Sequence, residues 1–194
     1  MIPRLIAKEE IAALPIRRYE GDVNLVATAA DLERAMEDIR VEGVTGFDTE
    51  TRPAFRKGES YLPALIQVAT ARRVHLFQLS RVDCSAAAAE LLGSPAIVKT
   101  GVGLKYDLSQ LKLLFPFDAA AVLDLGTAAK RHGLEQSGVR NLAGMFLGFR
   151  IPKSTGTSNW AAARLSAQQI GYAATDAWAC RELYLRFHAL GMLS

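Results

Sequence analysis

The sequence predicts an α/β domain built on a mixed sheet. Three observations predict it. Strand-like runs come early in the chain, and helical patterns alternate with strands later. Two of the early runs flank a tight Ala71-Arg72 turn and are expected to pair antiparallel. The later strands are separated by helices, the connection that parallel strands need. The chain has 194 residues, half of them apolar. That is enough for one sizeable core and too short for two ordinary domains. We therefore expect one domain over residues 1–194, with 1–22 as an N-terminal extension packed on it.

The elements follow in order. Lys8 to Leu14 predicts a short helix, stopped by Pro15. Val23 to Ala27 predicts a strand, and Thr28 caps a helix over Ala29 to Arg40. Val44 to Thr49 predicts a strand, and Gly58 to Pro63 a loop. Ala64 to Thr70 and Arg73 to Leu79 are the antiparallel pair. Asp83 starts a helix to Leu92, and Ala96 to Lys99 is a short strand. Leu104 to Phe115 predicts a helix, and Val122 to Leu125 a short strand. Helices follow over Gly126 to His132 and Val139 to Leu147. Pro152 to Asn159 predicts a loop with Lys153 exposed in it. Ser166 opens the last helix, with Gln169 completing a capping box.

Composition excludes several classes. The net charge of +3 is a mild basic excess and does not require a polyanionic partner. Cys84 and Cys180 have no metal-ligand spacing and read as reduced apolar fillers. His75, His132 and His188 form no zinc motif. The N-terminus lacks an apolar stretch of signal-peptide type, and no run approaches the roughly 18 apolar residues that span a bilayer. We expect a soluble, cytoplasmic protein.

The most informative feature is acidic. Asp48 and Glu50 lie in Phe47-Asp48-Thr49-Glu50-Thr51, at the end of an apolar run. Strand residues two apart share a face, so both carboxylates point the same way. An isolated Asp-x-Glu is usually two solvated charges at a sheet edge. Asp107 projects into the helical stripe of Leu104, Leu108, Leu111, Leu114 and Phe115, where an unpaired carboxylate is costly. A first-turn acid favouring the helix dipole is the plain alternative. Asp176 repeats the anomaly in the last helix. It projects between Leu183 and Phe187 beside the stripe of Ala173, Ala177, Cys180, Tyr184 and Phe187, with Tyr172 one turn earlier. Three such placements together point to one shared site. Carboxylates that gather resist ionisation unless a cation neutralises them. Hard oxygen ligands suit Mg²⁺ or Mn²⁺, and a pair of such ions is a device for cutting phosphodiesters.

The other polar features are weaker. Gly101-Val102-Gly103-Leu104-Lys105 precedes a helix but lacks the phosphate-loop spacing, so its glycines are read as a tight turn below Asp107. Residues 130–164 carry six basic side chains, Arg140 among them, against Glu135 alone. A basic rim around an acidic centre suits a phosphate backbone, and a solvated surface is the plain reading of any single member.

The three acidic blocks resemble the Exo I, Exo II and Exo III motifs of the DEDD superfamily of 3′-5′ exonucleases. Tyr172-Ala173-Ala174-Thr175-Asp176 has the Tyr-x-x-x-Asp spacing of the DEDDy branch, which includes ribonuclease D and the Werner-type exonuclease domain. Pro63-Ala64-Leu65-Ile66-Gln67 and Ser158-Asn159-Trp160 are further echoes, and the likeness runs from Val23 to Leu190. The resemblance implies an RNase H-like fold, a five-stranded mixed sheet flanked by helices. It implies two divalent ions held by Asp48, Glu50, Asp107 and Asp176. Asp48 would bridge both ions, Glu50 and Asp176 would complete the site of the nucleophilic water, and Asp107 would serve the second ion. Tyr172 would orient the water. Thr49, Lys153, Asn159 and Trp160 are the expected substrate contacts. Phe47, Leu65 and Phe55 are expected to wedge or stack on a terminal base. The implied partner is nucleic acid with a free 3′ end, single-stranded or recessed, DNA or RNA. At 194 residues the extra helical domains of full-length ribonuclease D are not expected, and a stand-alone Werner-like enzyme is the expectation. The rival readings are a nucleic-acid-binding module of the same fold with weak catalysis, and a nucleotide-binding protein using the glycine segment.

Overall fold

The computed structural model describes residues 4–56, 58–152 and 158–193. In chain order the elements are α1 (Lys8–Ala13), β1 (Asp22–Val26), α2 (Ala29–Ile39), β2 (Val44–Glu50), β3 (Leu65–Ala69), β4 (Arg73–Gln78), α3 (Ser85–Gly93), β5 (Val98–Gly101), α4 (Leu104–Leu111), β6 (Val122–Asp124), α5 (Leu125–Arg131), α6 (Val139–Leu147) and α7 (Ala167–Ala189). The strands form one mixed sheet in the order β1-β4-β3-β2-β5-β6. β2, β3 and β4 make the antiparallel meander, while β1 on β4, β5 on β2 and β6 on β5 are parallel. The sheet has six strands, one more than the resemblance implies. The three-residue β6 at its edge coincides with the strand read at Val122 to Leu125.

Alternation along the strands assigns the two faces. Phe47, Ile66, Val68 and Phe77 turn toward Met36 and Ile39 of α2, Leu91 and Leu92 of α3, and Leu104 and Leu111 of α4. Leu65, Ala69, Val74 and Leu76 turn the other way and meet Ala173, Ala174 and Ala177 of α7. The C-terminal half of α7 packs with α5 and α6 through Leu183, Phe187, Leu125, Leu142 and Phe146. α7 is therefore covered on several sides, which explains its run of small residues. Gly46 sets how close α7 comes to β2, because a Cβ there would overlap the Ala177 carbonyl oxygen.

α4 ends four residues earlier than predicted. Beyond Leu111 the bonds tighten to i→i−3, with Leu113 N donating to Gln110 and Leu114 N to Leu111. Pro116 follows, and the residue before a proline is pushed out of the helical region. Leu114 consequently leaves the apolar stripe and is exposed. Residues 4–19 lie along the α6–α7 side. Ile16 bridges Arg150, Glu135 N donates to the Arg4 carbonyl, and Tyr19 N donates to Thr175 Oγ1 at 3.0 Å. Cys84 and Cys180 are buried free thiols, and burial pushes both upward, Cys84 to about 11. Among the described residues no helix is long and apolar enough to cross a membrane.

Candidate metal centre

The acidic residues meet at the carboxyl end of β2, where β5 also stops and α4 begins. Parallel strands open a crevice at that end. Asp48 and Glu50 lie on the α7 face of β2, one residue apart in the alternation that puts Gly46 under Ala177. The close approach allowed by Gly46 lowers Asp176 onto them. One carboxylate oxygen from each of Asp48, Glu50 and Asp176 lies within 4.8 Å of the others.

Asp107 joins from the opposite side of the strand end. Thr49 points to the α4 face, and its hydroxyl donates to Asp107 Oδ1 at 2.7 Å. Asp107 is thus tied to β2 while remaining outside the tight trio. The turn that delivers it depends on Gly103, whose φ of 77° is left-handed. Asp124, at the end of β6, then fixes the start of α4. Its Oδ2 accepts from Leu104 N at 2.9 Å and its Oδ1 from Thr127 N at 2.7 Å, capping α5. Sequence reasoning passed over Asp124 by starting the next helix at Gly126. An aspartate directly before a helical run is an N-cap signal that would have found it.

Electrostatics follow from this crowding. Burial drives the Asp48 carboxyl well above its ordinary range, and Asp176, Glu50 and Asp107 push it further, against one backbone N–H from Thr49. Burial and the charges of Asp176 and Asp107 raise Glu50 to about 8. Burial raises Asp176 to about 6, opposed by a hydrogen bond from the Tyr172 hydroxyl and by the Arg140 guanidinium. Burial also raises Asp107, with the Thr49 hydroxyl pulling it back. Arg140 is the cation closest in effect to these acids. Its Nε is held by the Ile151 carbonyl at 3.1 Å.

Tyr172 stands one turn from Asp176 and packs against Trp160, ring centroids 6.2 Å apart. Trp160 is only 5% exposed, so it backs Tyr172 and offers no open platform for a base. Asn159 is exposed, with Oδ1 accepting from Ala161 N and its carbonyl from Gln169 Nε2. Tyr172, Trp160, Asn159 and Arg18 line a groove of about 610 Å³ along the start of α7. Lys153 lies outside the described residues. The stacking expectation fails for two of its three residues. Phe47 is buried under α2 and α3, and Leu65 under α7, because alternation puts each on a core face. Phe55 is 73% exposed.

The donor set fits a hard divalent cation. Asp176 is 4% exposed, and its Oδ1 has no hydrogen-bond partner. A buried carboxylate with an orphaned oxygen, beside two more carboxyls, is costly unless a cation takes it.

Fold and acidic crevice together define an RNase H-like nuclease architecture, and comparison with known proteins agrees. Residues 23–190 match the 3′-5′ exonuclease family, and the chain belongs to that family of phosphodiester hydrolases. It is 32% identical over 167 residues to ribonuclease D of Gluconacetobacter diazotrophicus, covering 84% of this chain and 42% of that protein. It is 31% identical over 190 residues to the bifunctional 3′-5′ exonuclease/ATP-dependent helicase WRN of Mus musculus, covering 92% of this chain and 13% of that protein. The chain thus spans less than half the length of either relative. In structure it is similar to the Aedes aegypti Nibbler EXO domain, with a TM-score of 0.77, 21% identity, and coverage of 92% of this chain and 100% of that one.

Proposed function

We propose that this chain removes 5′-mononucleotides from the 3′ end of a nucleic-acid strand, using two divalent ions held by Asp48, Glu50, Asp107 and Asp176. The observation that carries the reading is the convergence of three carboxylates within 4.8 Å, with Asp107 tied to the same strand end, in a chain of the 3′-5′ exonuclease family. Bound there, Mg²⁺ or Mn²⁺ would acidify a water and offset charge on the leaving oxygen.

The protein's own contribution is placement. Asp48 and Glu50 present paired oxygens from a rigid strand, and Asp176 closes over them from α7. The Thr49 hydroxyl donates to Asp107, which supports the fourth carboxylate at the strand end. Tyr172 is too weak an acid to serve unaided as a base near neutral pH, since a phenol titrates near 10. Its bond to Asp176 aims the ring into the crevice, where it orients the attacking water. The spacing Tyr172-x-x-x-Asp176 favours the DEDDy branch. Arg18 in the groove beside Tyr172 suits the phosphate backbone of the strand.

The test is digestion of matched DNA and RNA strands labelled at the 3′ or the 5′ end, with Mg²⁺, with Mn²⁺ and with excess EDTA. The 3′ label is expected to leave first as a mononucleotide, and the 5′-labelled strand to shorten in single steps. Full activity in EDTA, or cleavage inside the strand, would sink the proposal.

A further inference from the structure

The side chain of Gln67 has no purpose in the fold that its surroundings explain. It is 0% exposed, and neither Oε1 nor Nε2 has a hydrogen-bond partner. Among the described residues the other buried unpartnered groups, on Thr45, Thr100, Asp176 and Arg181, each involve a single atom. A buried amide without partners carries its full desolvation penalty, and an apolar side chain of the same shape would not.

Its position gives the penalty a reason. Gln67 is the residue directly opposite Asp48 in the β2–β3 ladder. Residues so paired project to the same face with their Cβ atoms about 5 Å apart. The flanking residues on that face of β3, Leu65 and Ala69, and Leu76 beside it on β4, are buried and apolar. Ala173 and Ala177 of α7 close the same apolar cluster. The polar neighbour in register is therefore Asp48. Asp48 also lies close to Asp176, whose Oδ1 is unpartnered.

We propose that Gln67 is a positioning residue, whose amide N–H supports the Asp48 carboxylate when that carboxylate holds a divalent cation. The inference rests on the metal-site reading above and adds a residue to it. A ligating carboxylate keeps its orientation when its second oxygen is hydrogen-bonded, and loss of such a partner weakens metal affinity. The amide is then poorly satisfied in the metal-free protein and engaged in the loaded one.

Gln67→Met replaces the amide with an apolar chain of similar length. Two quantities are read: the Tm in EDTA and the Mg²⁺ or Mn²⁺ affinity by titration calorimetry, with Asp48→Asn as the control that removes binding. The expected result is a Tm in EDTA equal to or above wild type, together with metal binding weakened by about 10-fold. Unchanged affinity overturns the proposal and leaves the metal site intact. A fall of the Tm in EDTA, or failure to fold, also overturns it, since the amide then has a partner without metal. If wild type binds neither ion, the metal-site reading itself fails, and this inference with it.

Discussion

Asp176 and Tyr172 show how one helical turn divides two roles. Both lie on α7, joined by a hydrogen bond, yet only Asp176 contributes to the trio of carboxylates. Asp176→Asn removes a charge from the cluster, and a site built as a unit fails as a unit. We expect exonuclease activity to fall by about three orders of magnitude or more, with metal binding lost in calorimetry. Tyr172→Phe keeps all four carboxylates and removes only the hydroxyl. Its expected cost is about 10²-fold in kcat, the scale of a group that orients a proton-bearing reactant. Divalent affinity should stay near wild type. Loss of metal binding in the phenylalanine variant would contradict the role given to Tyr172. The Tyr172–Asp176 bond also favours the ionised carboxylate, so its removal should raise the Asp176 pKa and shift the acidic limb of the pH–rate profile upward.

At the scale of elements, the decisive contact is α7 on β2. Gly46 lets the helix backbone touch the strand, and Asp176 reaches Asp48 and Glu50 only at that separation. Gly46→Ala forces the Ala177 carbonyl away. The expected destabilisation is about 1–3 kcal/mol, typical of overpacking in a closed core, with metal affinity reduced as Asp176 withdraws. An unchanged Tm and unchanged affinity would show that α7 does not need this approach. The strands and helices themselves were largely legible in the sequence, because alternation, N-caps and the Ala71-Arg72 turn are local signals. So was the acidic set, since Asp107 and Asp176 each break an apolar stripe. Asp124 carried a local N-cap signal as well, whereas the contributions of Gly46, Gln67 and Thr49 were not legible. Each acts through a neighbour distant in sequence, and a register or a crossing between elements leaves no periodic trace. The same limit misled the stacking expectation. Phe47 and Leu65 are near the site in sequence, but pleat alternation turns both into the core.

Across the whole molecule, the acidic cluster sets how stability depends on pH. Glu50 titrates at about 8 in the fold against an ordinary 4.5, and Asp176 at about 6 against 3.8. Asp48 and Asp107 are raised as well. From pH 4.5 upward the unfolded chain releases protons that the metal-free fold retains. Stability must therefore fall as pH rises through this window. His75 opposes the trend below 6.5, because burial lowers its pKa despite its bond to Asp38. Lys99, pushed down to about 8 by burial, opposes it only at the top of the window, so two groups stand against four. We expect the Tm in EDTA to decline between pH 5 and 8. Divalent ions are expected to reverse the sign, since ions bound by the ionised carboxylates would displace the same protons. The increase in Tm produced by Mg²⁺ should accordingly be small at pH 5 and grow toward pH 8. Paired thermal scans with EDTA and with Mg²⁺ across that range measure both slopes. Parallel curves, with an ion effect independent of pH, would mean that these carboxyls do not hold the metal. In Asp48→Asn, one member of the crowded set no longer titrates. The decline in EDTA should then flatten and the Mg²⁺ effect should vanish, which ties both slopes to the cluster rather than to the protein's general charge.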